Sequence, residues 1–113
     1  METTNMYLIK ALDAYPYSLE EALESLNYAL SYEPENAQAL FLMGRFYAEQ
    51  LQDLDNALGY YEAALASEIN LNKAFPYYLD ALIKNEDLDT AQKFLDFALT
   101  VPAADKALLT YFK

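Results

Sequence analysis

Residues 36–71 decide the fold, and they read NAQALFLMGRFYAEQLQDLDNALGYYEAALASEINL. Within 37–50, and again within 55–67, large apolar side chains recur every three or four residues, which places them on one face of a helix. Gly44 lies in the middle of the first segment, where glycine costs roughly 1 kcal/mol relative to alanine, so it indicates close packing against a neighbouring helix. The stretch predicts two packed helices joined by a short turn.

The same order of side-chain sizes returns about thirty-four residues away on both sides, which indicates an internal repeat. The middle copy consists of Leu40, Met43, Gly44, Tyr47, Ala57, Tyr61, Ala64 and Ile69. The upstream copy has Met6, Ile9, Ala22, Leu26, Ala29 and Pro34, and the downstream copy has Phe75, Tyr78, Leu79, Leu82, Ala91, Leu95 and Ala98. The chain is therefore predicted to contain three helix pairs.

This pattern resembles the tetratricopeptide repeat, whose first helix carries large, aliphatic, small and aromatic residues and whose second helix carries alanines before a proline. The resemblance implies an all-α fold, a right-handed α-solenoid of antiparallel helix pairs with about seven helices. One domain is expected over 1–113, with repeats at about 3–36, 37–71 and 72–101 and a capping helix at about 102–113.

The outer repeats depart from the pattern, and so does the middle one. Lys10 and Asp13 stand where small and aromatic residues belong, and Leu79 replaces the small residue of the third repeat. The middle repeat needs one extra turn residue near Leu51 and Gln52 to keep both helices in register.

Capping residues and prolines predict where the helices begin and end. The first helix is expected from Thr3 or Thr4 to about Ala14, before Tyr15-Pro16. The second helix is expected from the capping box at Ser18 to about Tyr32. The fifth helix is expected from Asn70 or Asn72 to about Lys84, with Pro76 in its first turn. The sixth helix is expected from Asp87 or Asp89 to about Thr100.

Composition argues against an enzyme, a cofactor and a metal site. The 113 residues include no cysteine and no histidine, which excludes disulfides, thiolate sites and Ser-His-Asp arrangements. No glycine-rich phosphate loop is found. Two acidic segments, starting at Asp53 and Asp87, superficially resemble calcium loops, but Ala64 and Ala98 stand at the twelfth position, where a bidentate Glu is required. Both segments are better explained as helix caps.

Charge and hydropathy narrow the classes of binding partner further. The formal charge of −11 opposes binding to nucleic acid, whose phosphates are also negative. No apolar run approaches the roughly 18 residues of a membrane span, and no signal peptide is recognised. No membrane association is therefore expected, and the predicted compartment is the cytoplasm.

The resemblance to tetratricopeptide repeats implies a concave groove that takes a peptide or helix of a partner protein. By register, the predicted groove residues are Tyr7, Leu8, Ala11, Phe41, Leu42, Arg45, Lys73, Tyr77 and Lys84. The same register also places Thr4, Ala14, Tyr15, Gln38, Ala48, Glu49, Pro76, Asp80 and Ile83 along it. Only Lys73 matches the carboxylate-holding positions of co-chaperone repeats, so capture of a chaperone's C-terminal tail is not expected.

The predicted function is that of an adaptor or scaffold for a partner with apolar or aromatic anchors and some acidic groups. Phe41 and Tyr77 are the expected anchors, and Arg45 is the expected orienting charge. Acidic residues concentrate in the second helices, where they favour solubility. Two alternatives stay open: a dedicated chaperone or immunity-type protein that masks one secreted or toxic partner, and a self-associating module, a homodimer through the end near Met6.

Overall fold

The computed structural model describes residues 5–102 together with Ala104, Asp105 and Leu109. These residues form six α-helices: α1 (Met6–Ala14), α2 (Leu19–Tyr32), α3 (Ala37–Arg45), α4 (Leu54–Ser67), α5 (Phe75–Lys84) and α6 (Leu88–Ala98). A π-helical turn, Phe46–Gln50, continues α3, and a 3-10 turn, Asn72–Ala74, precedes α5. The part of the chain that the structure describes contains no strand, so the predicted all-α class is confirmed.

Each helix packs against the next helix in the sequence. α1 packs on α2, α3 on α4 and α5 on α6, and the pairs join through contacts of α2 with α3 and of α4 with α5. Buried apolar side chains form two clusters along this path. One includes Ala22, Leu26 and Met43 from the first two pairs, and the other includes Tyr61 and Leu82 from the last two. The core therefore extends along the chain in the order of the repeats.

Gly44 allows a close approach between α3 and α4, as the sequence predicted. A Cβ atom built on this glycine would lie 2.5 Å from Cδ1 of Tyr61 and 3.3 Å from the carbonyl oxygen of Ala57. Carbon atoms in favourable contact are about 3.5–4.0 Å apart, so a side chain at this position would displace the ring. Glycine thus leaves the space in which Tyr61 is buried.

The register predicted for α1 is wrong by one residue. The repeat pattern placed Lys10 at the position of Gly44, but the structure buries Ala11 and leaves Lys10 exposed. The buried and half-buried residues Tyr7, Leu8, Ala11, Ala14 and Tyr15 match Leu40, Phe41, Gly44, Tyr47 and Ala48, a shift of 33 positions (7 to 40). Alanine meets the same steric requirement as glycine here, while Lys10 and Asp13 keep their contact with water.

Three side chains cap helices by accepting a backbone N–H in the first turn, at α1, α3 and α4: Asn5, Asn36 and Asp53. The cap of α1 is therefore not Thr3 or Thr4, which lie outside the described residues. Ser18 and Asp87, both predicted as caps, stand at the N-cap positions of α2 and α6 but make no side-chain capping bond.

The fifth helix begins later than predicted because of a proline. Residues 72–74 form a 3-10 turn, and α5 starts at Phe75. Pro76 has no N–H to donate to the carbonyl of Asn72, so the turn closes through the N–H of Phe75 on that carbonyl instead. The proline then lies in the first turn of α5, where a missing donor is tolerated.

The connection between α3 and α4 accommodates the extra residue of the middle pair through a π turn and one residue in the left-handed backbone conformation. α3 ends at Arg45, and Phe46–Gln50 continues it with the wider π geometry. Gln52 then adopts a φ of 55°, and the N–H of Asp53 donates to the carbonyl of Tyr47 at 2.9 Å. The sequence predicted the extra residue but not this form.

Buried side chains beyond α6 cover the last helix pair. Val101, Ala104 and Leu109 belong to the same apolar cluster as Leu95 and Ala98. The seventh helix predicted at about 102–113 falls mostly outside the described residues. The described residues Ala104 and Leu109 are buried, so chain beyond α6 contributes to the same apolar core.

Candidate protein-binding groove

A charged and aromatic network joins α1 to the end of α3. Arg45 donates from Nε to Oε2 of Glu49 at 2.9 Å and from Nη2 to Oε1 at 3.2 Å. The hydroxyl of Tyr15, just after α1, donates to the same Oε1 at 2.7 Å. The carboxylate of Glu49 is therefore held from two helix pairs, and the contact is charge-assisted.

The guanidinium of Arg45 also lies against two tyrosine rings. Its Cζ atom is 5.3 Å from the ring centroid of Tyr15 and 4.7 Å from that of Tyr77 on α5. Both distances are within the roughly 6 Å at which a cation is attracted to a ring face. Tyr15, Arg45, Glu49 and Tyr77 will be called the strut, because together they connect all three helix pairs.

The groups around Arg45 and Tyr15 determine the protonation states of these two side chains. Burial by itself lowers the pKa of Arg45, but the hydrogen bond and charge of Glu49 outweigh burial and raise it. Burial raises the pKa of Tyr15 to about 12, and the neighbouring Glu49 carboxylate adds to this effect. Arg45 is therefore charged and Tyr15 neutral over the whole physiological range.

Beside the strut, a cleft of about 480 Å³ opens between the middle pair and α5. Its lining residues are Ala48, Glu49, Gln52, Leu54, Tyr61, Tyr77, Asp80, Ala81 and Lys84. Tyr61 is almost entirely buried, and burial raises the pKa of its phenol, so the ring stays neutral. The cleft thus combines aromatic and aliphatic surface with four polar or charged side chains, those of Glu49, Gln52, Asp80 and Lys84.

The charged side chains at the cleft are already paired with one another. Lys84 Nζ lies 2.9 Å from Oδ2 of Asp80, one helical turn away, and both side chains are more than half exposed. Glu49 is paired with Arg45 in the strut. Since exposed pairs of this kind contribute only about 0–1 kcal/mol, Lys84 and Asp80 can exchange partners when a ligand arrives, whereas the strut is fixed.

A second concavity of about 320 Å³ lies on the other side of Tyr77. Its lining residues are Asn72, Lys73, Phe75, Pro76, Tyr77, Asp105 and Leu109, and it will be called the side slot. Lys73 is exposed and forms no ion pair with a described residue. The ring of Tyr77 is a wall of both the cleft and the side slot.

The structure separates the nine predicted groove residues into three groups. Tyr77 and Lys84 line the cleft, Arg45 lies in the strut beside it, and Lys73 lines the side slot. Three others are buried: Ala11 and Leu42 in the core of the first two pairs, and Phe41 between Tyr61 and Tyr77, with ring centroids 5.9 and 5.2 Å away. A direct ligand contact is therefore not assigned to these three.

The remaining two, Tyr7 and Leu8, lie on α1 away from the cleft. The ring of Tyr7 stacks on Tyr28 at 5.0 Å and on Tyr32 at 5.7 Å, both from α2, and Lys10 Nζ lies 5.4 Å from its centroid. Tyr7 therefore joins the two helices of the first pair and faces its own partner helix.

Sequence reasoning missed four residues that line the cleft. Gln52, Leu54, Tyr61 and Ala81 were not predicted there, although Tyr61 was predicted in the core. The only signal for Gln52 was the extra turn residue of the middle pair. Its location next to the π turn could be anticipated, but its position at the cleft depends on the left-handed turn.

The described residues hold neither a candidate metal cluster nor a candidate membrane span. No group of three or more Asp or Glu side chains among them is placed to hold a metal ion. None of the helices described is long and apolar enough to cross a membrane. A comparison with known protein families finds no match to this chain, and no curated protein matches it.

Proposed function

We propose that this chain is a tetratricopeptide-like, right-handed stack of antiparallel helix pairs that acts as a protein-binding adaptor. A segment of the partner protein would lie across the face formed by α1, α3 and α5 and insert one side chain into the cleft. The repeat pattern, the order of helix packing and the cleft beside the strut support this proposal. A cytoplasmic location remains part of the proposal.

The observation that carries the proposal is the cleft itself. Its volume of about 480 Å³ accommodates a large side chain, and Tyr61 and Tyr77 provide an aromatic lining. The strut fixes one side of the opening through hydrogen bonds and ring contacts. A preformed opening reduces the entropy lost on binding, which favours specific recognition of a peptide anchor.

The pairing of Arg45 changes the expected chemistry of the partner. Two of its five N–H donors bind Glu49, whose carboxylate offsets its charge, so we assign Arg45 to positioning Tyr77 and not to orienting the partner. The cation next to the cleft is Lys84, which is held only by an exposed pair with Asp80. We propose a partner segment with an apolar or aromatic anchor and an acidic residue that binds Lys84.

The test selects peptides from a displayed random library on the immobilised full chain and measures their affinity by calorimetry. Tyr77→Ala removes a wall of the cleft and should weaken a selected peptide at least tenfold, as for other aromatic anchors. Lys84→Glu should weaken peptides with an acidic residue about threefold to tenfold.

Lys93→Glu is the matched control for Lys84→Glu. Lys93 forms the same exposed pair one turn apart, with Asp89 at 3.1 Å on α6, but it does not line the cleft. Its substitution should leave affinity unchanged. Peptides that bind Tyr77→Ala and Lys84→Glu as tightly as the unmodified chain, or that lose equal affinity with Lys93→Glu, would place the binding surface elsewhere.

A further inference from the structure

One polar side chain at the cleft has no partner among the described residues. Four polar or charged side chains line the cleft, those of Glu49, Gln52, Asp80 and Lys84. Glu49 is bound to Arg45, and Asp80 is paired with Lys84. The exposed carboxamide of Gln52 makes no hydrogen bond with a residue that the structure describes. A ligand can therefore bind Gln52 without breaking an existing pair.

The backbone of Gln52 has a counterpart in the third helix pair. Its φ of 55° is left-handed, a conformation in which a residue with a Cβ atom is strained and glycine is not. Glu86 lies 34 positions further along (52 to 86) and has a φ of 60°. Gln52 lines the cleft, whereas Glu86 lines neither the cleft nor the side slot. The left-handed turn thus belongs to the repeat, and what distinguishes Gln52 is its location.

The two left-handed turns also differ in length. In the middle pair, the N–H of Asp53 donates at 2.9 Å to the carbonyl of Tyr47, six residues back (53 to 47). In the third pair, the N–H of Asp87 donates at 2.9 Å to the carbonyl of Leu82, five residues back (87 to 82). The π turn Phe46–Gln50 accommodates the additional residue, and π turns are frequent at functional sites. The longer of the two turns is therefore the one that lines the cleft.

The chemistry of a carboxamide matches that of an extended main chain. Its oxygen accepts hydrogen bonds and its NH₂ group donates them, as the C=O and N–H of a peptide unit do. In an extended segment, the N–H and C=O of one residue point to the same side, so a single carboxamide can bind both. In the interior of a helix these groups are already bonded to each other. A glutamine side chain therefore favours an extended segment over a helix.

We propose that the carboxamide of Gln52 binds the main chain of the partner segment, accepting from the N–H and donating to the C=O of one residue beside the anchor. The bound segment is then extended where its anchor enters the cleft, and a helical partner is disfavoured. This inference rests on the proposed binding function of the cleft. It adds Gln52 as the residue that selects backbone conformation, beside Tyr77 for the anchor and Lys84 for the acidic group.

The test measures by calorimetry how tightly the full chain binds a peptide selected from the displayed library. Gln52→Met keeps the side-chain length but removes the carboxamide, and should weaken the peptide about fivefold. N-methylation of the peptide at each residue in turn should reveal one position where affinity also falls about fivefold. On Gln52→Met the same methylation should cost less than about twofold, because both changes remove the same contact.

Glu86→Gly is the matched control for Gln52→Gly, since both variants relieve a left-handed turn. Both should raise the urea midpoint of unfolding, whereas only Gln52→Gly should weaken the peptide. Unchanged affinity in both Gln52 variants, equal loss with Glu86→Gly, or a gain of helical circular dichroism when the peptide binds would overturn the inference. If Tyr77→Ala still weakens such a peptide at least tenfold, the binding function of the cleft stands and only the role of Gln52 is wrong. A peptide that Tyr77→Ala also leaves unaffected would overturn both.

Discussion

The first and middle helix pairs follow one sequence pattern but end in different surroundings. α3 packs on α1 and α2 on one side and is contacted by Tyr77 of α5 on the other, so its apolar face is buried and Arg45 is held between rings. Among the described residues, α1 has neighbours on one side only, so Met6 and Ile9 are exposed and Lys10 lies over Tyr7 at the surface. Position along the row of packed helices, more than residue type, decides what each side chain contacts.

This difference has an energetic meaning. A cation near a ring contributes about 0.5–1 kcal/mol at an exposed site and about 2 kcal/mol when desolvated. Lys10 makes this contact at an exposed site, whereas Arg45, whose side chain is 28% exposed, makes it in a partly buried position. Removal of these two cations should therefore cost different amounts of unfolding free energy, with the larger loss at Arg45.

The largest effect is expected where helices approach closely. Gly44→Leu places a side chain in the space of the Tyr61 ring and should cost about 3 kcal/mol of unfolding free energy. Ala11→Leu should cost about 1–3 kcal/mol, because Ala11 takes the same place in the first pair. Lys10→Leu is the control and should change stability by no more than about 0.5 kcal/mol. Urea denaturation measures all three. A costly Lys10→Leu with a neutral Ala11→Leu would restore the register predicted from sequence.

The strut should give the next largest effect. Arg45→Ala removes two ring contacts and the bidentate partner of Glu49, and should cost about 1–2 kcal/mol. Lys10→Ala removes one exposed ring contact and should cost less than about 0.5 kcal/mol. Equal losses in thermal or urea denaturation would show that burial of Arg45 contributes nothing.

Alkaline pH should destabilise the middle of the molecule through Tyr15. Its pKa is about 12 in the folded chain, raised first by burial, against about 10 for an unfolded tyrosine. The folded state therefore holds this proton more tightly, so the stabilisation is complete below pH 10 and is lost as pH rises through 12. Tyr15→Phe should show a smaller fall in Tm between pH 9 and 11 than the unmodified chain. Tyr17→Phe, an exposed neighbour, should behave like the unmodified chain.

The smallest effect is a gain in stability. Gln52 has a φ of 55°, a conformation that glycine adopts without steric cost. The connection 15–18 of the first pair contains no residue with positive φ. Gln52→Gly should therefore stabilise the chain by about 0.5 kcal/mol, the relief of strain less the added entropy of the unfolded glycine. Tyr17→Gly in the first connection is the comparison and should bring no gain. A loss on Gln52→Gly would mean that the side chain makes contacts that outweigh the strain.

Much of the fold could be predicted because it depends on local periodicity. Repeated spacing placed all six described helices, and Gly44 indicated where two of them approach. The register of α1 could not be fixed in this way, because Lys10 and Ala11 are neighbours and a short helix tolerates a broad apolar face. The choice depends on which residue meets Ala22 and Leu26, and that is a tertiary contact.

The site was predicted less well because its contacts are distant in sequence. The sequence placed Arg45, Tyr77 and Lys84 on the correct helices. No local pattern shows that the hydroxyl of Tyr15 donates a hydrogen bond to Glu49. Phe41 was read as an anchor from its groove position, whereas the approach of Tyr61 and Tyr77 buries it. Pairings of this kind follow from the final packing and carry no periodic signal.

The side chain of Tyr77 is shared by the cleft and the side slot. One ring bounds both the cleft and the side slot, and its orientation is set by Arg45 and Phe41. A ligand that turns this ring in one concavity changes the free energy of binding in the other. By linkage such an influence is reciprocal, so a ligand in the side slot that turned the ring would change affinity at the cleft by the factor that a cleft ligand changes affinity at the side slot.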